Sequence, residues 1–491
     1  MSASTVRNGI SSVPEMVLSQ ARRRPDAPAV ACEGQLTTYG ELVRQAAGIA
    51  LALTRSGVRP GAVVAIHLDR GIGVLAAQLG IWSTGGICLT LPPDLPRGRL
   101  EAMVADAAPE AVVGDFAGGP DAGLPGVPRV IDRAACAPAE PDALGVPGGG
   151  AYLIYTSGST GVPKGVLVGH DSFALLARWH GDTYGVTPAD RAASIAAMSF
   201  DAFMWETWPY LCHGASIHFA PGELKLAPWE LGDWYRAQAI DLAFLPTPLA
   251  EAYLRHGTHF GQLRCLLTGG DRLRLRDGHP LRRFVNHYGP TETTVVATSH
   301  EVAPTSTGPV PIGRAIGPAR TMVADGTAEA ESGAPGELLV GGACLALGYW
   351  RNQAATESGF VRVGGSAQRW YRTGDLVRRN DEGELEFLGR IDRQIKVRGV
   401  RVEPGEIEGV LGRCPGVNDV VVDWDQDEAR LTAYVVGDAH SDAPRSAAAL
   451  KEFARRHLPA EMVPQHYVFV GSIPMTAHGK IDRTSLLRHT R

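Results

Sequence analysis

The chain has 491 residues, of which 44% are hydrophobic and 20% charged, and its formal net charge is −5. This length is enough for about three domains with a large core, and the small net charge gives no reason to expect nucleic acid or a membrane surface as a partner. The seven cysteines form no CxxC pair, so neither a zinc site nor a disulfide framework is expected. Without a signal peptide or a long apolar run, we expect a protein of the reducing cytosol.

The first four-fifths of the chain alternates apolar runs with amphipathic ones. AVVAIHL (62–68) predicts a buried strand, and residues 70–82 predict a helix packed beside it. Further short strands are predicted in AVVGDF, AYLIYT, AFLPT and LRCLLTGG, whereas residues 115–150 and 303–318 read as loops. Strands separated by helices indicate α/β layers with largely parallel pairing.

The pattern changes near residue 390. IKVRGVRVE, a helix from Pro404 to about Arg413, DVVVDW, RLTAYVVG and a helix over 446–457 predict a compact α+β unit of about 100 residues. Pro404 suits the first turn of a helix, where its missing N–H breaks no hydrogen bond.

The stretch YTSGSTGVPKG (155–165) has the composition of a phosphate-binding loop. Its glycines let the backbone approach an anion, while its hydroxyls and one lysine donate to it. The candidate residues are Thr156, Ser157, Gly158, Ser159, Thr160, Gly161 and Lys164. Pro163 stands where a Walker A loop needs glycine, so that loop type is excluded. A Ser/Gly surface turn is the alternative, and a helix is predicted to begin afterwards at Asp171 or Ser172.

Several motifs in register resemble those of the adenylate-forming enzymes, specifically the amino-acid-activating adenylation domains of nonribosomal peptide synthetases. They are LTTYGEL (36–42), YTSGSTGVPKG, FDAFMWE (200–206), NHYGPTE (286–292), GELLVGG (336–342), YRTGD (371–375), GRIDRQIKVRGVRVEPGEIE (389–408) and PMTAHGKIDR (474–483). The resemblance implies a large N-terminal domain of layered mixed sheets and helices, residues 1–390. It also implies a small mobile α+β domain, residues 391–491.

The resemblance implies a two-step reaction with ATP and Mg²⁺. A carboxylate attacks the α-phosphorus of ATP to form an acyl-adenylate, and a thiol then displaces AMP; catalysis is mainly positioning and electrostatics. Lys480, Glu292 and Thr156 are the implied catalytic residues, with Glu292 the metal ligand. Tyr288, Gly289, Thr291, Asp375 and Arg390 join the phosphate loop in binding nucleotide, and Asp392 is the implied hinge. Taken singly, these residues have plain structural alternatives, such as a core aromatic, a turn acid or a solvated lysine.

The FDAFMWE motif carries the prediction about substrate. Asp201 and Trp205 are four residues apart in a segment whose residues 202–208 look helical, so both lie on one face, and Pro209 is expected to kink or end the helix. An aspartate there would pair with the α-ammonium of an amino acid, because a buried charge needs a partner. It could equally be only an N-cap.

The remaining pocket positions are implied by register with the family. They are Asp201, Ala202, Trp205, Pro248, Leu267, Gly269, His287, Val295, Val296 and Lys480. The wall is apolar, with Gly269 expected to leave room and Trp205 to limit depth. It resembles a leucine-type set and departs from it at Pro248 and His287. Valine, isoleucine or another medium apolar amino acid stays open, and His287 is either a polar contact or a satisfied histidine.

Two residues differ from the family pattern, and the domain types present in the sequence indicate which partners to expect. Leu347, in ACLALGYW, stands where arginine is usual, and Glu461 stands where an aromatic is common. The sequence shows no carrier-protein, condensation or thioesterase segment. We therefore expect a freestanding enzyme that loads a separate phosphopantetheinylated carrier protein, with an MbtH-like helper open and with neither nucleic acid nor membrane as partner.

Two other functions compete with amino acid activation. An acyl- or aryl-CoA ligase of the same superfamily is disfavoured by Asp201. A non-enzymatic nucleotide-binding module is disfavoured by the complete set Lys164, Glu292, Asp375 and Lys480.

Overall fold

The computed structural model describes residues 11–116, 124–140, 149–157, 163–225, 227–256, 263–326, 328–364, 367–392, 394–397, 400–425, 428, 430–437, 446–474 and 486. Its helices are α1 Val13–Arg23, α2 Tyr39–Arg55, α3 Ile72–Ser83, α4 Arg97–Ala107, α5 His170–Tyr184, α6 Asp201–Trp205, α7 Trp208–Cys212, α8 Leu231–Gln238, α9 Thr247–His256, α10 Gln353–Gly359, α11 Pro404–Leu411 and α12 Ala447–His457. Within these residues, no helix has both the length and the apolar character to cross a membrane.

The strands, in chain order, are β1 Pro28–Cys32, β2 Gln35–Thr38, β3 Val63–His67, β4 Ile87–Thr90, β5 Ala111–Gly114, β6 Val130–Asp132, β7 Gly150–Thr156, β8 Lys164–Gly169, β9 Arg191–Ser194, β10 Ser216–Phe219, β11 Leu242–Pro246, β12 Cys265–Gly269, β13 Arg274–Leu275, β14 Phe284–Tyr288, β15 Thr298–Glu301, β16 Gly308–Pro309, β17 Arg314–Ala315, β18 Ala319–Asp325, β19 Ala328–Glu329, β20 Gly336–Gly342, β21 Gly348–Tyr349, β22 Phe360–Arg362, β23 Arg369–Arg379, β24 Leu385–Arg390, β25 Ile395–Val397, β26 Val400–Val402, β27 Val417–Asp425, β28 Arg430–Gly437 and β29 His466–Phe469.

The chain divides into two compact units. The first comprises Met1–Pro93, Ala107–Ile154 and Gly165–Ile391, and the second comprises Asp94–Asp106, Tyr155–Lys164 and Asp392–Arg491. Each unit has its own buried apolar cluster.

The largest sheet of the first unit has the strand order β17-β15-β14-β12-β11-β9-β10-β1-β2. The pairings from β14 through β12, β11, β9 and β10 to β1 are all parallel, whereas the outer strands pair antiparallel. The carboxyl ends of the parallel strands therefore meet at one edge. In open α/β sheets, ligands bind at that edge.

A second sheet of the same unit has the order β21-β8-β7-β4-β3-β5-β6. Helix α3 lies in the apolar core of this unit: each of its residues from Gly73 to Ser83 is buried, so it is apolar on all sides. The indole of Trp82 in that helix donates to the carbonyl of Ala151 at 2.7 Å, which satisfies a polar atom inside the core. The strand predicted over 62–68 and the helix predicted over 70–82 are both confirmed.

A third sheet, β19-β18-β20-β23-β22 with β24 on β23, is antiparallel. The register of β23 and β24 places Asp375 directly opposite Arg390. This arrangement brings a carboxylate and a guanidinium together from residues 15 positions apart.

The second unit contains the predicted α+β segment. The hairpin β25–β26, the antiparallel pair β27–β28, and β29 parallel to β28 accompany the helices α11 and α12. Ile407, Leu431 and Leu450 are among its buried residues, so one cluster joins the two helices to the strands. The predicted helices over 404–413 and 446–457 are confirmed, and so is the mixed α/β class of the chain.

Three local predictions are wrong. The helix after the phosphate loop begins at His170 with Gly169 as its N-cap, not at Asp171 or Ser172. Pro209 does not end the helix that holds Asp201; that helix ends at Trp205, and Pro209 lies in the first turn of α7, where its missing N–H is harmless. Short strands lie inside both segments predicted as loops: Val130–Asp132 pairs with β5 at the edge of the second sheet, while Gly308–Pro309 pairs with β13 and Arg314–Ala315 pairs with β15.

Candidate functional site

Helix α6 follows β9 at the carboxyl edge of the largest sheet. Its N-cap is Phe200, which makes no side-chain capping hydrogen bond, so Asp201 is the first helical residue and not the cap. Asp201 and Trp205 are four apart in this helix and share one face, as predicted. Trp205 is buried, whereas Asp201 and Ala202 are partly exposed.

The carboxylate of Asp201 lies in an unfavourable environment for a charge. Burial raises its pKa to about 6, a hydrogen bond from the Thr291 side chain opposes the rise, and the nearby charge of Glu292 adds to it. In the part of the chain that the structure describes, no cation pairs with Asp201. A carboxylate held this way favours a ligand that brings a positive charge.

Glu206, directly after α6, anchors the helix to the sheet. Its buried carboxylate accepts hydrogen bonds from Arg70 Nη2 at 3.0 Å, Ser194 Oγ at 2.5 Å, and the backbone N–H groups of Ile195 and Ala196 at 3.0 and 2.9 Å. Because Ser194, Ile195 and Ala196 lie at and just beyond the end of β9, the network sets where α6 begins and hence where Asp201 lies. The sequence analysis missed Glu206 and Arg70; the signal was an acid inside an otherwise apolar run.

The predicted pocket wall is assembled from neighbouring parallel strands. Leu267 and Gly269 lie in β12, His287 lies in β14, and Pro248 lies in the first turn of α9 after β11. The register aligns Pro246, Gly269 and His287 across the three strands. The structure thus brings these predicted residues to one edge of one sheet.

The expected role of Gly269 requires correction. A Cβ added there would lie 2.6 Å from the carbonyl oxygen of His287, so backbone already occupies the direction in which a side chain would point. Glycine is needed for the close approach of β12 and β14. It does not leave room for a substrate.

His287 is a satisfied, neutral histidine. Its Nδ1 is 3.1 Å from the carbonyl oxygen of Thr268 and donates to it, so Nε2 accepts from the Tyr184 hydroxyl at 2.5 Å. Burial lowers its pKa to about 3, against the opposing effect of its backbone hydrogen bonds. Of the two alternatives left open by the sequence, the satisfied histidine is the one observed.

Aromatic rings pack tightly around Trp205. Its ring centroid lies 4.8 Å from that of His287, 5.2 Å from that of Phe244 and 5.7 Å from that of His180, all edge to face. Val295 and Val296 are also buried. Trp205 is therefore held by rings on several sides, and its predicted role in limiting the depth of the pocket stays a prediction.

A second group of predicted residues meets where β14 of the largest sheet approaches β23 and β24 of the third sheet. The Tyr288 hydroxyl donates to Asp375 Oδ2 at 2.5 Å, and Arg390 Nη1 donates to Oδ1 of the same carboxylate. Arg390 Nη2 also donates to the Thr373 carbonyl at 3.1 Å. Asp375 is 3% exposed, and its oxygens keep lone pairs for further donors.

Glu292 lies in a 3₁₀ turn, Thr291–Thr293, directly after β14 and the intervening Gly289. It is 0% exposed, and its Oε1 accepts a hydrogen bond from the Tyr349 hydroxyl at 2.7 Å. Thr294 and Val295 follow with φ of 57° and 68°. Positive φ is unfavourable for β-branched residues, so the turn is strained beside the site.

The phosphate loop is described only at its ends. Thr156 ends β7 and its hydroxyl lies 3.5 Å from the Lys164 carbonyl, while the buried Ser157 donates to the Arg401 carbonyl at 2.9 Å. Lys164 begins β8. Gly158, Ser159, Thr160 and Gly161 lie outside the described residues, as does Lys480. Asp392 is exposed and its carboxylate accepts from Gln394 N at 3.1 Å, an interaction typical of a turn.

The chain matches two models of known protein families. The family model described as AMP-binding enzyme matches residues 17–350, and the model described as AMP-binding enzyme C-terminal domain matches residues 406–480. The first match covers well over half of the chain.

The chain belongs to the AMP-binding enzyme family.

Named relatives agree with this assignment. Bacitracin synthase 1 of Bacillus licheniformis is 35% identical over 97% of this chain, which spans 9% of that relative's length. An artificially fused adenylation–PCP di-domain from Klebsiella oxytoca, NpsA-ThdA, is 25% identical, with a TM-score of 0.82 and 93% of each chain covered. A four-domain nonribosomal peptide synthetase bound to AMP and glycine is 31% identical with a TM-score of 0.70, over 97% of this chain and 36% of that one.

The kinship with adenylation domains of nonribosomal peptide synthetases is therefore confirmed, and so is the predicted architecture of a large N-terminal and a small C-terminal domain. Enzymes of the AMP-binding family use ATP.

The described residues of this AMP-binding enzyme suit a metal ion that is bound together with a nucleotide. Among the described residues, no group of three or more His, Cys, Asp or Glu side chains could hold a metal ion by itself. Glu292 offers one carboxylate, which fits Mg²⁺ as it is usually bound with a nucleotide, by one or two carboxylates together with phosphates and water.

Proposed function

We propose that this chain activates a free amino acid with ATP to form an aminoacyl-AMP, and then transfers the aminoacyl group to the phosphopantetheine thiol of a carrier protein. The observation that carries the proposal is Asp201: a half-buried carboxylate with a pKa raised to about 6, unpaired by any cation among the described residues and set in an apolar wall. A zwitterionic amino acid supplies the missing cation, whereas a simple fatty or aryl acid does not.

The group around Asp375 supports the nucleotide end of the reaction. Its carboxylate would accept the ribose hydroxyls through the lone pairs that Tyr288 and Arg390 leave, and the buried ring of Tyr288 would offer a flat surface to adenine. With both substrates held, an oxygen of the amino acid carboxylate attacks the α-phosphorus and pyrophosphate leaves. The protein contributes position and charge more than covalent chemistry.

Glu292 would hold Mg²⁺ together with phosphate oxygens. When bound, the ion offsets negative charge on those oxygens. Glu292 is suited to this role because it is buried and held by the Tyr349 hydroxyl, so little freedom is lost when a cation binds.

Lys480 and the phosphate loop complete the proposal through the family register. Lys480 would bridge the substrate carboxylate and the nucleotide in the first step, and residues 156–164 would hold the β- and γ-phosphates. The second step requires room for a thiol arm, so we propose that residues 391–491 turn about Asp392 relative to residues 1–390.

The apolar wall supports a medium apolar L-amino acid, with leucine first. The mapped wall residues include Trp205, Leu267, Val295 and Val296, and the neutral His287 contributes no charge to the side-chain pocket. Discrimination between leucine and valine depends on one methylene, worth about 1–3 kcal/mol, so both belong in the test.

The partner proposed for the second step is a separate carrier protein. The relatives that contain adenylation and PCP domains in one chain support the pairing of the two domain types. The proposal includes loading of the carrier in trans and a cytosolic location, and it leaves an MbtH-like helper open.

The deciding experiment is ATP–pyrophosphate exchange across the free amino acids, with benzoate and a medium-chain fatty acid in parallel. We expect activity with leucine or a close apolar neighbour, and its loss in Asp201→Asn. Activity with benzoate or the fatty acid that survives Asp201→Asn would favour the CoA ligase alternative. Loading is then read from the intact mass of a phosphopantetheinylated carrier incubated with the enzyme, ATP and the amino acid.

A further inference from the structure

Residues 344–349 form a clamp on the turn that carries Glu292. Three hydrogen bonds join the two segments: Tyr349 Oη donates to Glu292 Oε1 at 2.7 Å, Ala346 N donates to the Glu292 carbonyl at 2.9 Å, and Thr294 Oγ1 donates to the Cys344 carbonyl at 2.7 Å. The clamp therefore holds the Glu292 backbone just before the strained residues, the side chain of the strained Thr294, and the Glu292 carboxylate itself.

The strain of the turn explains why such a clamp is needed. Thr294 and Val295 are consecutive β-branched residues with positive φ, a conformation that persists only where the surroundings enforce it. The segment closes back on Gly289, where an added Cβ would meet the Val295 carbonyl oxygen at 2.4 Å. The direction of the Glu292 side chain thus depends on contacts from outside its own turn.

Tyr349 is itself firmly placed. Its hydroxyl lies 3.4 Å from that of the buried Tyr371, and its ring packs edge to face on Phe360 at 6.0 Å. Its backbone N–H donates to Thr356 Oγ1 at 2.9 Å. A phenol held on several sides fixes the carboxylate that it contacts.

The clamp is anchored to the rest of the first unit at two further points. Tyr349 pairs with Val166 in the strand pair β21–β8, so the clamp joins the strand that begins at Lys164. Arg369 donates to the carbonyls of Ala346 and Leu347, both at 3.0 Å, and its guanidinium lies 4.0 Å from the centre of the Phe360 ring. The Leu347 side chain is 49% exposed, so at this position the clamp uses only backbone.

We propose that Tyr349 is a positioning residue for the nucleotide-bound divalent cation: its hydroxyl holds the Glu292 carboxylate in the orientation in which it meets the metal. This inference rests on the proposed role of Glu292 as metal ligand. Tyr349 touches neither substrate in this account; it acts through Glu292.

The test measures how strongly the metal tightens nucleotide binding. Isothermal titration of the full chain with α,β-methylene-ATP, once in EDTA and once in saturating Mg²⁺, yields two dissociation constants whose ratio is the metal effect. Tyr349→Phe should lower this ratio about tenfold, the size expected when a partner of a metal ligand is lost, and leave the EDTA value unchanged. Glu292→Gln measures the ratio with the ligand itself removed.

Tyr39→Phe is the matched control. Tyr39 is another buried tyrosine, whose hydroxyl donates to the carbonyls of Leu211 and Ala215 at 3.0 and 2.8 Å, so its loss removes the same chemical group without touching Glu292. Its ratio should equal that of the wild type. Thermal melting of each variant checks the fold, and Thr294→Val, which removes the hydroxyl bonded to Cys344, is a second probe with an expected loss of about threefold in the ratio.

The outcomes distinguish the positioning role of Tyr349 from the metal-binding role of Glu292. If Glu292→Gln lowers the ratio while Tyr349→Phe and Thr294→Val keep the wild-type value, the positioning role is overturned and the metal role of Glu292 stands. If Glu292→Gln also keeps the wild-type ratio, Glu292 is not the metal ligand, and both proposals fail.

Discussion

Asp201 and Asp375 are two aspartates of the candidate site in opposite electrostatic situations. Asp375 is buried with an arginine and a tyrosine hydroxyl already bonded to it, whereas Asp201 has a hydroxyl and backbone donors but no cation among the described residues. The difference matches what each would bind. Neutral sugar hydroxyls suit a hydrogen-bond acceptor whose negative charge is already balanced by the protein. An ammonium group suits a carboxylate whose negative charge is not yet balanced.

The comparison shows where stability is given up for binding. At Asp375 the protein itself supplies the counter-charge through Arg390. At Asp201 the ligand supplies it, so the empty protein holds a carboxylate that burial disfavours. Substitution at the two positions should therefore affect stability in opposite directions.

The largest expected effect is that of Asp201→Asn. Removing one partner of a buried ion pair costs about 3–5 kcal/mol, so kcat/KM for the amino acid should fall by at least about 100-fold. The empty protein should become more stable at pH 8 by about 1–2 kcal/mol, because the raised pKa of Asp201 opposes folding above pH 6 and the side chain keeps some contact with water. Pyrophosphate exchange and urea unfolding measure the two effects; a variant that is less stable at pH 8 would contradict the comparison.

Asp375→Asn should act in the other direction on stability. The KM for ATP should rise about 10- to 100-fold, and the free energy of unfolding should fall by about 2–3 kcal/mol, because Arg390 loses the charge that Asp375 supplies. The KM for the amino acid should change much less. A stabilised Asp375→Asn variant would show that the Arg390 pair does not balance this carboxylate.

The pH dependence sharpens the same contrast. The pKa of Asp201 is raised to about 6, so the carboxylate that pairs with the ammonium is progressively protonated as the pH falls through 6. We expect kcat/KM for the amino acid to fall about tenfold per pH unit below that point and to level off above it. The Asp201→Asn variant should not show this fall in kcat/KM at low pH. A wild-type kcat/KM that stays constant down to pH 4.5 would show that the pKa of Asp201 is not raised in the free enzyme.

The smallest expected effect comes from Tyr184→Phe, which removes the hydroxyl bonded to His287 Nε2. Loss of this buried hydrogen bond should lower the free energy of unfolding by about 1–2 kcal/mol. The pH midpoint near 6 should not move, because His287 is neutral with a pKa lowered to about 3 and so cannot serve as a counter-charge to Asp201. A midpoint that moved by a full pH unit would mean that His287 charges in the working range and that Asp201 is not the sole titrating group of the pocket.

The candidate residues of the site could be proposed from the sequence because their chemistry is local and their order along the chain resembles a family. Asp201, Tyr288, Glu292 and Asp375 each occur in a short motif with a composition suited to charge or nucleotide binding. The strand over 62–68 and the helix over 70–82 were predictable for a similar reason, since burial on all sides produces uninterrupted apolar runs.

The residues that support the site could not be named, because they are distant in sequence from what they hold. Arg70 reaches Glu206 across 136 positions, Tyr184 reaches His287 across 103, and Tyr349 reaches Glu292 across 57. For the same reason, the sequence predicted that Gly269 leaves space for the substrate. Only the register of β12 and β14 shows that a side chain at this position would collide with the backbone of His287.

The sequence by itself therefore determined the chemical groups of this protein and their family, since motif composition and apolar periodicity are properties of neighbouring residues. Only the tertiary structure decided which charges are balanced and which are not. Arg390 neutralises Asp375 because two antiparallel strands place them opposite each other, while Asp201 begins a helix at a sheet edge where no described cation reaches it. The state of a carboxylate depends on its burial and its partners, and both are set by packing between segments far apart along the chain.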